Sequence, residues 1–140
     1  LWSLADSPFL KYEYLNKFDK AMITLARKQR LFNKDPHYLT INDGDKVMRF
    51  ERNGIIFAMN FDPSRSYEKY FLPTHVPGDY RVVLSTDDPE FGGHGRISSK
   101  QIYTAYQQAD GRVGFYIYLP SRSAVVLKKK QVRNRTAKKN

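Results

Sequence analysis

The stretch FERNGIIFAMNFDPSRSY, residues 50–67, decides the fold of this 140-residue chain. Within it, an apolar run over residues 55–61 is entered through Asn53-Gly54. Asn-Gly between two apolar runs is the strongest short-range hairpin signal, because a type I′ turn requires positive φ at both central residues. Asp62-Pro63 then ends the ladder, since proline has no N–H to donate. The stretch therefore predicts a β-hairpin that pairs residues 46–52 with residues 55–61.

The chain beyond this hairpin shows further strand signals. Residues 80–85 follow the turn Pro77-Gly78, and residues 102–109 and 112–119 flank Asp110-Gly111, a second two-residue hairpin signal. Residues 123–127 form a last apolar run. In residues 80–85, alternation places Tyr80, Val82 and Leu84 on one face of the strand. In residues 113–119, the same alternation places the other apolar side chains on one face and Tyr116 and Tyr118 on the opposite face. No crossover helix separates these segments, so we predict an all-β fold, an antiparallel β-sandwich of five to eight short strands.

One long helix is predicted before the strands, over residues 8–29. Ser7 can act as its N-cap, with Pro8 at the first helical position. Apolar residues spaced three and four apart form a single stripe, made of Tyr12, Leu15, Phe18, Met22 and Leu25. A stripe of this kind needs a partner, which we expect to lie upstream in a longer protein. Without that partner we expect the isolated chain to form homodimers or to detach the helix.

Charge and composition limit the function classes. The net charge is +10, but seven of the 24 Lys and Arg residues lie in residues 128–140, which contain no acid. The remaining 17 basic residues face 14 acidic ones, so the body of the chain is nearly balanced. We predict a disordered tail that is either solvated, a nuclear localisation signal or a binder of anionic polymers. No cysteine is present, and no apolar run reaches the roughly 20 residues of a membrane span.

The sequence offers no convincing catalytic constellation. The three histidines, at positions 37, 75 and 94, are isolated from one another and lack metal-ligand spacing. Asp87, Asp88 and Glu90 could supply two carboxylates for glycoside chemistry, but they share one loop interrupted by Pro and Gly. We therefore predict no catalytic residue, no metal site and no cofactor for this chain.

Aromatic residues are the candidates for binding. Sugars are held by aromatic faces that stack on the pyranose ring, and such faces are sought where a strand pattern breaks. The candidates for glucan binding are Tyr38, Tyr67, Tyr70, Phe71 and Phe91. In each case the alternative is a core-filling or edge-covering ring. Interleaved aromatic and basic residues also suit single-stranded nucleic acid, although the small charge of the body makes this partner the weaker interpretation.

Several motifs in a fixed order resemble one enzyme family. These are WSLADSPFLKY (residues 2–12), FER (50–52), NFDPS (60–64), EFGGH (90–94) and LPSR (119–122). Together they resemble the C-terminal region of eukaryotic-type 1,4-α-glucan (glycogen or starch) branching enzymes, of the α-amylase superfamily. The resemblance implies that residues 1–33 close a (β/α)8 catalytic barrel, that residues 34–127 form the C-terminal β-sandwich, and that residues 128–140 are a basic tail.

The same resemblance implies a function. The catalytic carboxylates of such enzymes lie upstream of Leu1, which we take to be the start of a fragment. We therefore expect a non-catalytic domain that supports the barrel and contacts α-glucan, in a cytoplasmic protein or, in a plant, a plastid one, with no membrane association. Two alternatives stay open: a stand-alone carbohydrate-binding module, and a nucleic-acid-binding domain that uses the basic tail.

Overall fold

The computed structural model describes residues 11–132, so Ser7, Pro8 and the last eight residues lie outside the described part. It contains one helix, α1 (Tyr12–Lys28), two short 3₁₀ helices (Leu31–Asn33 and Pro89–Phe91) and eight strands. The strands are β1 (His37–Asn42), β2 (Val47–Arg52), β3 (Ile55–Asn60), β4 (Tyr67–Pro73), β5 (Gly78–Ser85), β6 (Ile102–Gln107), β7 (Val113–Leu119) and β8 (Ser123–Lys129). β1 and β4 have no counterpart among the strands that the sequence predicts, and β8 runs two residues further than predicted.

All strand pairs are antiparallel, in the order β1-β2-β3-β8-β5-β6-β7-β4. The first four residues of β6 pair with β5, whereas Tyr106 and Gln107 pair with β7. Because β6 is shared in this way, the sheet turns at β6 and curls over its own core. The prediction of an all-β, antiparallel fold with a preceding helix is confirmed.

The two predicted hairpin turns have different outcomes. Arg52 pairs directly with Ile55, and Asn53 and Gly54 have φ of 49° and 77°, so the two-residue turn is confirmed. In the second hairpin the last pair is Gln107 with Val113, which leaves a five-residue loop. A two-residue turn at Asp110-Gly111 is therefore wrong. Gly111 alone has positive φ in this loop, because the Asp110 carboxylate instead accepts a hydrogen bond from the Arg112 N–H at 3.0 Å.

The core lies between the two layers of the curled sheet. On β7, Phe115, Ile117 and Leu119 are buried while Tyr116 faces outward, as the alternation predicts. On β5 the alternation fails after Val82, because the register to β8 shifts between Val82 and Leu84. The extra residue at this bulge turns Leu84 to the outer face, so the prediction that Leu84 shares a face with Val82 is wrong.

Helix α1 packs on the outer face of the sheet. Its residues Phe18, Ala21 and Leu25 contact a cluster that includes Leu84 and Val126. Tyr12, Leu15 and Met22, which belong to the same predicted stripe, are exposed. The helix is therefore packed and not detached in this structure, since the sandwich covers two of the five stripe residues, Phe18 and Leu25, while homodimer formation stays a prediction.

Candidate functional site

The two edge strands β1 and β4 approach each other where the curled sheet fails to close. At one end of this approach, the hydroxyl groups of Tyr67 and Tyr70 donate to the backbone oxygen (2.8 Å) and to Oδ2 (3.0 Å) of Asp45. At the other end, the ring of Tyr38 stacks on the ring of His75, with centroids 4.8 Å apart. We call the space between β1 and β4 the seam. Side chains rather than a backbone ladder hold its two ends together.

The middle of the seam is an open cleft of about 580 Å³. This volume lies within the usual range of small-molecule sites, about 300–1,000 Å³. The cleft presents aromatic and polar groups together, among them Asn42, Arg49, Tyr70, Phe71, Arg112 and Tyr116. It is therefore suited to a ligand with both a flat apolar face and hydrogen-bonding groups.

Arg49 and Glu51 form a buried ion pair beside the cleft. Both lie on the inner face of β2, and Arg49 Nη2 donates to Glu51 Oε1 at 2.8 Å. Arg49 Nη1 donates to the backbone oxygen of Tyr38 at 2.9 Å. Burial lowers the pKa of Arg49, although the neighbouring Glu51 carboxylate opposes this shift. Arg49 thus fixes the backbone of β1 against β2.

Tyr38 is the second residue of β1. Its φ of 52° is unusual for a tyrosine and coincides with a register shift in the pairing of β1 with β2. The hydrogen bond that Arg49 donates to the Tyr38 carbonyl oxygen holds this conformation. The ring of Tyr38 is half exposed and lies between the rings of His37 and His75. The position keeps one aromatic ring at the end of the seam with part of its surface open to solvent.

Tyr67 and Tyr70 are more enclosed than Tyr38. Burial raises the pKa of both, and the hydrogen bond to Asp45 helps to raise that of Tyr70 to about 12. The guanidinium of Arg65 lies 4.7 Å from the centre of the Tyr67 ring. Both hydroxyl groups are therefore occupied in closing the seam, which leaves ring edges and faces as their available surface.

The structure brings four of the five candidates, Tyr38, Tyr67, Tyr70 and Phe71, to the seam. Phe91 lies elsewhere: its ring packs edge to face on Phe18 of α1, with centroids 5.3 Å apart. The loop around Phe91 depends on the buried Asp87, whose carboxylate accepts from Arg96 Nε at 3.0 Å and Nη2 at 2.8 Å.

Sequence reasoning missed Arg49, Tyr116 and Arg112 as cleft residues. The alternation along β7 already indicates that Tyr116 faces away from the core, and this signal could have placed it among the exposed aromatics. No local signal identifies Arg49, because it alternates with the apolar Met48 and Phe50 and therefore reads as a solvent-facing position, whereas the structure buries it. Only the curl of the sheet opens a cleft beside it.

Two further properties concern the whole of residues 11–132. No group of three or more His, Cys, Asp or Glu side chains in this range could hold a metal ion. The helix α1 is too polar and too short to cross a membrane, and no other helix in the described range qualifies.

A protein-family model described as the alpha amylase C-terminal all-beta domain matches residues 38–130. The chain belongs to this family. The match runs from the second residue of β1 to one residue beyond β8, so it includes the whole curled sheet and leaves α1 outside. The seam of this alpha-amylase C-terminal domain therefore lies within the matched region, between its strands β1 and β4.

Curated relatives of this alpha-amylase C-terminal domain are similar beyond the sheet. The chain is 38% identical over 133 residues to the 1,4-alpha-glucan-branching enzyme of Saccharomyces cerevisiae. This match covers 93% of the chain and 19% of the enzyme. It is 40% identical over 129 residues to the enzyme of the same name from Candida glabrata, and this match covers 90% of the chain and 18% of that enzyme. It is 37% identical over 131 residues to the one from Dictyostelium discoideum, and this match covers 91% of the chain and 19% of that enzyme. The chain spans about a fifth of the length of these relatives.

Proposed function

We propose that this chain is the C-terminal β-domain of a 1,4-alpha-glucan-branching enzyme, in which it supports the catalytic barrel and contacts glucan. The observation that supports this proposal most is the breadth of the similarity, since relatives with this name match nine-tenths of the chain, more than the β-domain alone. In the proposed enzyme, segments of α-1,4-glucan are transferred to form α-1,6 branches by residues outside this chain. The fragment itself has no bond-making role.

The outward face of α1 supports the proposed contact with a barrel. We define this face by its four exposed apolar residues, Tyr12, Leu15, Met22 and Ile23. Burying one such side chain contributes about 1.5–3 kcal/mol, and soluble monomers seldom leave a large apolar patch uncovered. A helix that is apolar on two sides fits between two bodies. The sandwich is one of them, and the barrel is the proposed second.

The apolar surface continues from α1 onto the sheet. Phe57 of β3 contacts the helix cluster, and its ring stacks on Phe50 of β2 with centroids 4.6 Å apart. Register places Met48 and Met59 on this same outer face, and Met48 pairs with the exposed Ile41 of β1. The proposed barrel contact therefore extends from the outward face of α1 across the outer face of β1, β2 and β3.

The proposed glucan contact uses the seam. Tyr38, Tyr67, Tyr70 and Phe71 remain the candidates, since each lies along the seam. Phe91 is a weaker candidate, because its ring is packed on Phe18 and serves to anchor α1. The division into residues 1–33, 34–127 and 128–140, and a cytoplasmic or plastid location, remain predictions.

A graft tests the proposal. The C-terminal segment of the Saccharomyces cerevisiae branching enzyme that matches this chain is replaced by the chain, and α-1,6 linkages formed on amylose are counted by proton NMR. We expect the grafted enzyme to branch amylose, whereas the same enzyme truncated before the segment should be insoluble or inactive. A graft that performs no better than the truncated enzyme contradicts the proposal.

A further inference from the structure

One buried nitrogen beside the seam has no hydrogen-bond partner. Arg49 is 4% exposed, and its Nη1 and Nη2 bind the Tyr38 carbonyl and Glu51, but its Nε binds no atom of residues 11–132. Buried polar groups in folded proteins almost always have a partner, and an exception calls for an explanation. Because Arg49 lines the cleft of the seam, a ligand in that cleft can supply the missing acceptor.

An aromatic pair lines the same cleft. Phe71 of β4 and Tyr116 of β7 are register partners, and their ring centroids are 5.3 Å apart. The guanidinium of Arg112 lies 4.2 Å from the centre of the Phe71 ring, so it shields one side of that ring. Tyr116 is 47% exposed. Of the two rings, Tyr116 therefore offers the larger face to a ligand.

The polar groups of the cleft favour a neutral ligand with several hydroxyl groups. Three cationic side chains line the cleft, and two of them are paired, Arg49 with Glu51 and Arg112 with Asp110 at 2.6 Å. The third, Lys69, has no ion pair among residues 11–132, and the Asp45 carboxylate in the same lining offsets its charge. Asn42 uses its Oδ1 to accept from the Asp45 N–H at 2.8 Å, which leaves its amide nitrogen as a donor. A phosphate backbone would need unpaired cations, whereas a sugar ring needs a flat aromatic face and neutral or shared donors.

We propose that the cleft of the seam is an α-glucan-binding site, in which one glucose ring lies on Tyr116 and a glucan oxygen accepts from Arg49 Nε. The choice of α-1,4-glucan among neutral sugars rests on the proposed function. The site is held open by the Asp45 contacts at one end and by Tyr38 on His75 at the other. It uses residues of four strands, β1, β2, β4 and β7, which only the curled sheet brings together.

The test is a calorimetric titration of the 140-residue chain with maltoheptaose. Tyr116→Ala removes the proposed platform from an exposed position, and Tyr106→Ala is the matched control, since Tyr106 is 57% exposed on β6 and lies outside the cleft. We expect Tyr116→Ala to weaken binding about fivefold or more, and Tyr106→Ala to leave it unchanged. Arg49→Lys, which keeps the charge but removes Nε, should weaken binding as well.

Two results would overturn the site. One is the absence of saturable maltoheptaose binding by the unaltered chain, and the other is equal affinity of the Tyr116→Ala and Tyr106→Ala variants. Neither result bears on the branching graft, which tests whether the chain replaces a branching-enzyme segment. An inactive graft together with Tyr116-dependent maltoheptaose binding would instead reject the proposed function and leave the seam as a glucan site.

Discussion

Replacing Asp87 by Asn should loosen the loop that anchors α1. The Asp87 carboxylate is 3% exposed and accepts two bonds from the Arg96 guanidinium, together with bonds from the backbone N–H groups of His94 and Arg96. This loop presents Phe91 to Phe18, so the carboxylate acts on the helix through the loop. The Asn side chain keeps the shape but loses the charge and one acceptor oxygen.

The size of the effect follows from these bonds. A hydrogen bond to a charged partner contributes about 1.5–3 kcal/mol, and breaking a buried pair costs more than breaking an exposed one. Arg96 is 31% exposed and regains water when Asp87 is replaced, which reduces the loss. We therefore expect Asp87→Asn to lower the free energy of unfolding by about 2–3 kcal/mol, a drop in Tm of roughly 8–12 °C for a domain of this size.

The effect should depend on pH. Burial alone raises the pKa of Asp87, but the bonds from Arg96 and His94 outweigh burial and bring this pKa below its usual value. A carboxyl group with a lowered pKa stabilises the fold above its unfolded pKa of about 3.9, and this contribution is lost as the pH falls through the folded pKa. The difference between the unaltered chain and Asp87→Asn should therefore be full at pH 7 and should shrink below about pH 4.

Urea unfolding followed by far-UV circular dichroism measures the difference at pH 7, 5 and 3. The matched control is Asp110→Asn. Asp110 also forms an ion pair with an arginine, Arg112, but this pair is half exposed. This control should change the free energy of unfolding by less than about 1 kcal/mol. Equal effects of Asp87→Asn and Asp110→Asn, or a difference that is constant from pH 7 to pH 3, would refute the reasoning.

Two further predictions concern the turns and the seam. An added Cβ at Gly93 would lie 2.1 Å from the backbone of Asp87, so Gly93→Ala should lower the free energy of unfolding by at least about 2 kcal/mol. At Gly44 the nearest atom would be 3.4 Å away, so Gly44→Ala should lower it by less than about 0.5 kcal/mol. Equal urea midpoints of the two variants would contradict this prediction. In an ultraviolet absorbance titration Tyr70 should ionise near pH 12, and Asp45→Asn should bring this pKa towards its ordinary value. An unchanged titration curve in Asp45→Asn would contradict the contribution of Asp45 to the raised pKa of Tyr70.

Local chemistry explains which parts of the fold could be predicted. Asn53-Gly54 fixes its own turn, because both residues tolerate positive φ, and the pairing of β2 with β3 follows directly. At Asp110-Gly111 the same kind of signal misleads, because a side chain competes with the turn. The bulge in β5 at Val83 is invisible in the alternation, since it arises from the register against β8.

The candidate site was harder to predict than the fold. Tyr38 and Tyr70 are 32 positions apart in the sequence, and they line one seam only because β6 turns the sheet. The role of Arg49 depends on Glu51, on the Tyr38 carbonyl and on an open cleft, none of which a residue pattern encodes. Aromatic type and position pointed to residues that the structure places along the seam, whereas the partners of each ring required the tertiary structure.

The most direct test of the central claim compares Leu15→Lys in two settings. Leu15 is 58% exposed, so in the 140-residue chain alone this change should alter the free energy of unfolding by less than about 0.5 kcal/mol. In the grafted branching enzyme the same change would place a charge under the barrel, and we expect loss of most branching activity and a lower Tm. Tyr106→Lys, exposed on β6, should be tolerated in both settings. A graft that tolerates Leu15→Lys as well as Tyr106→Lys would contradict the claim that this domain supports a barrel through the outward face of α1.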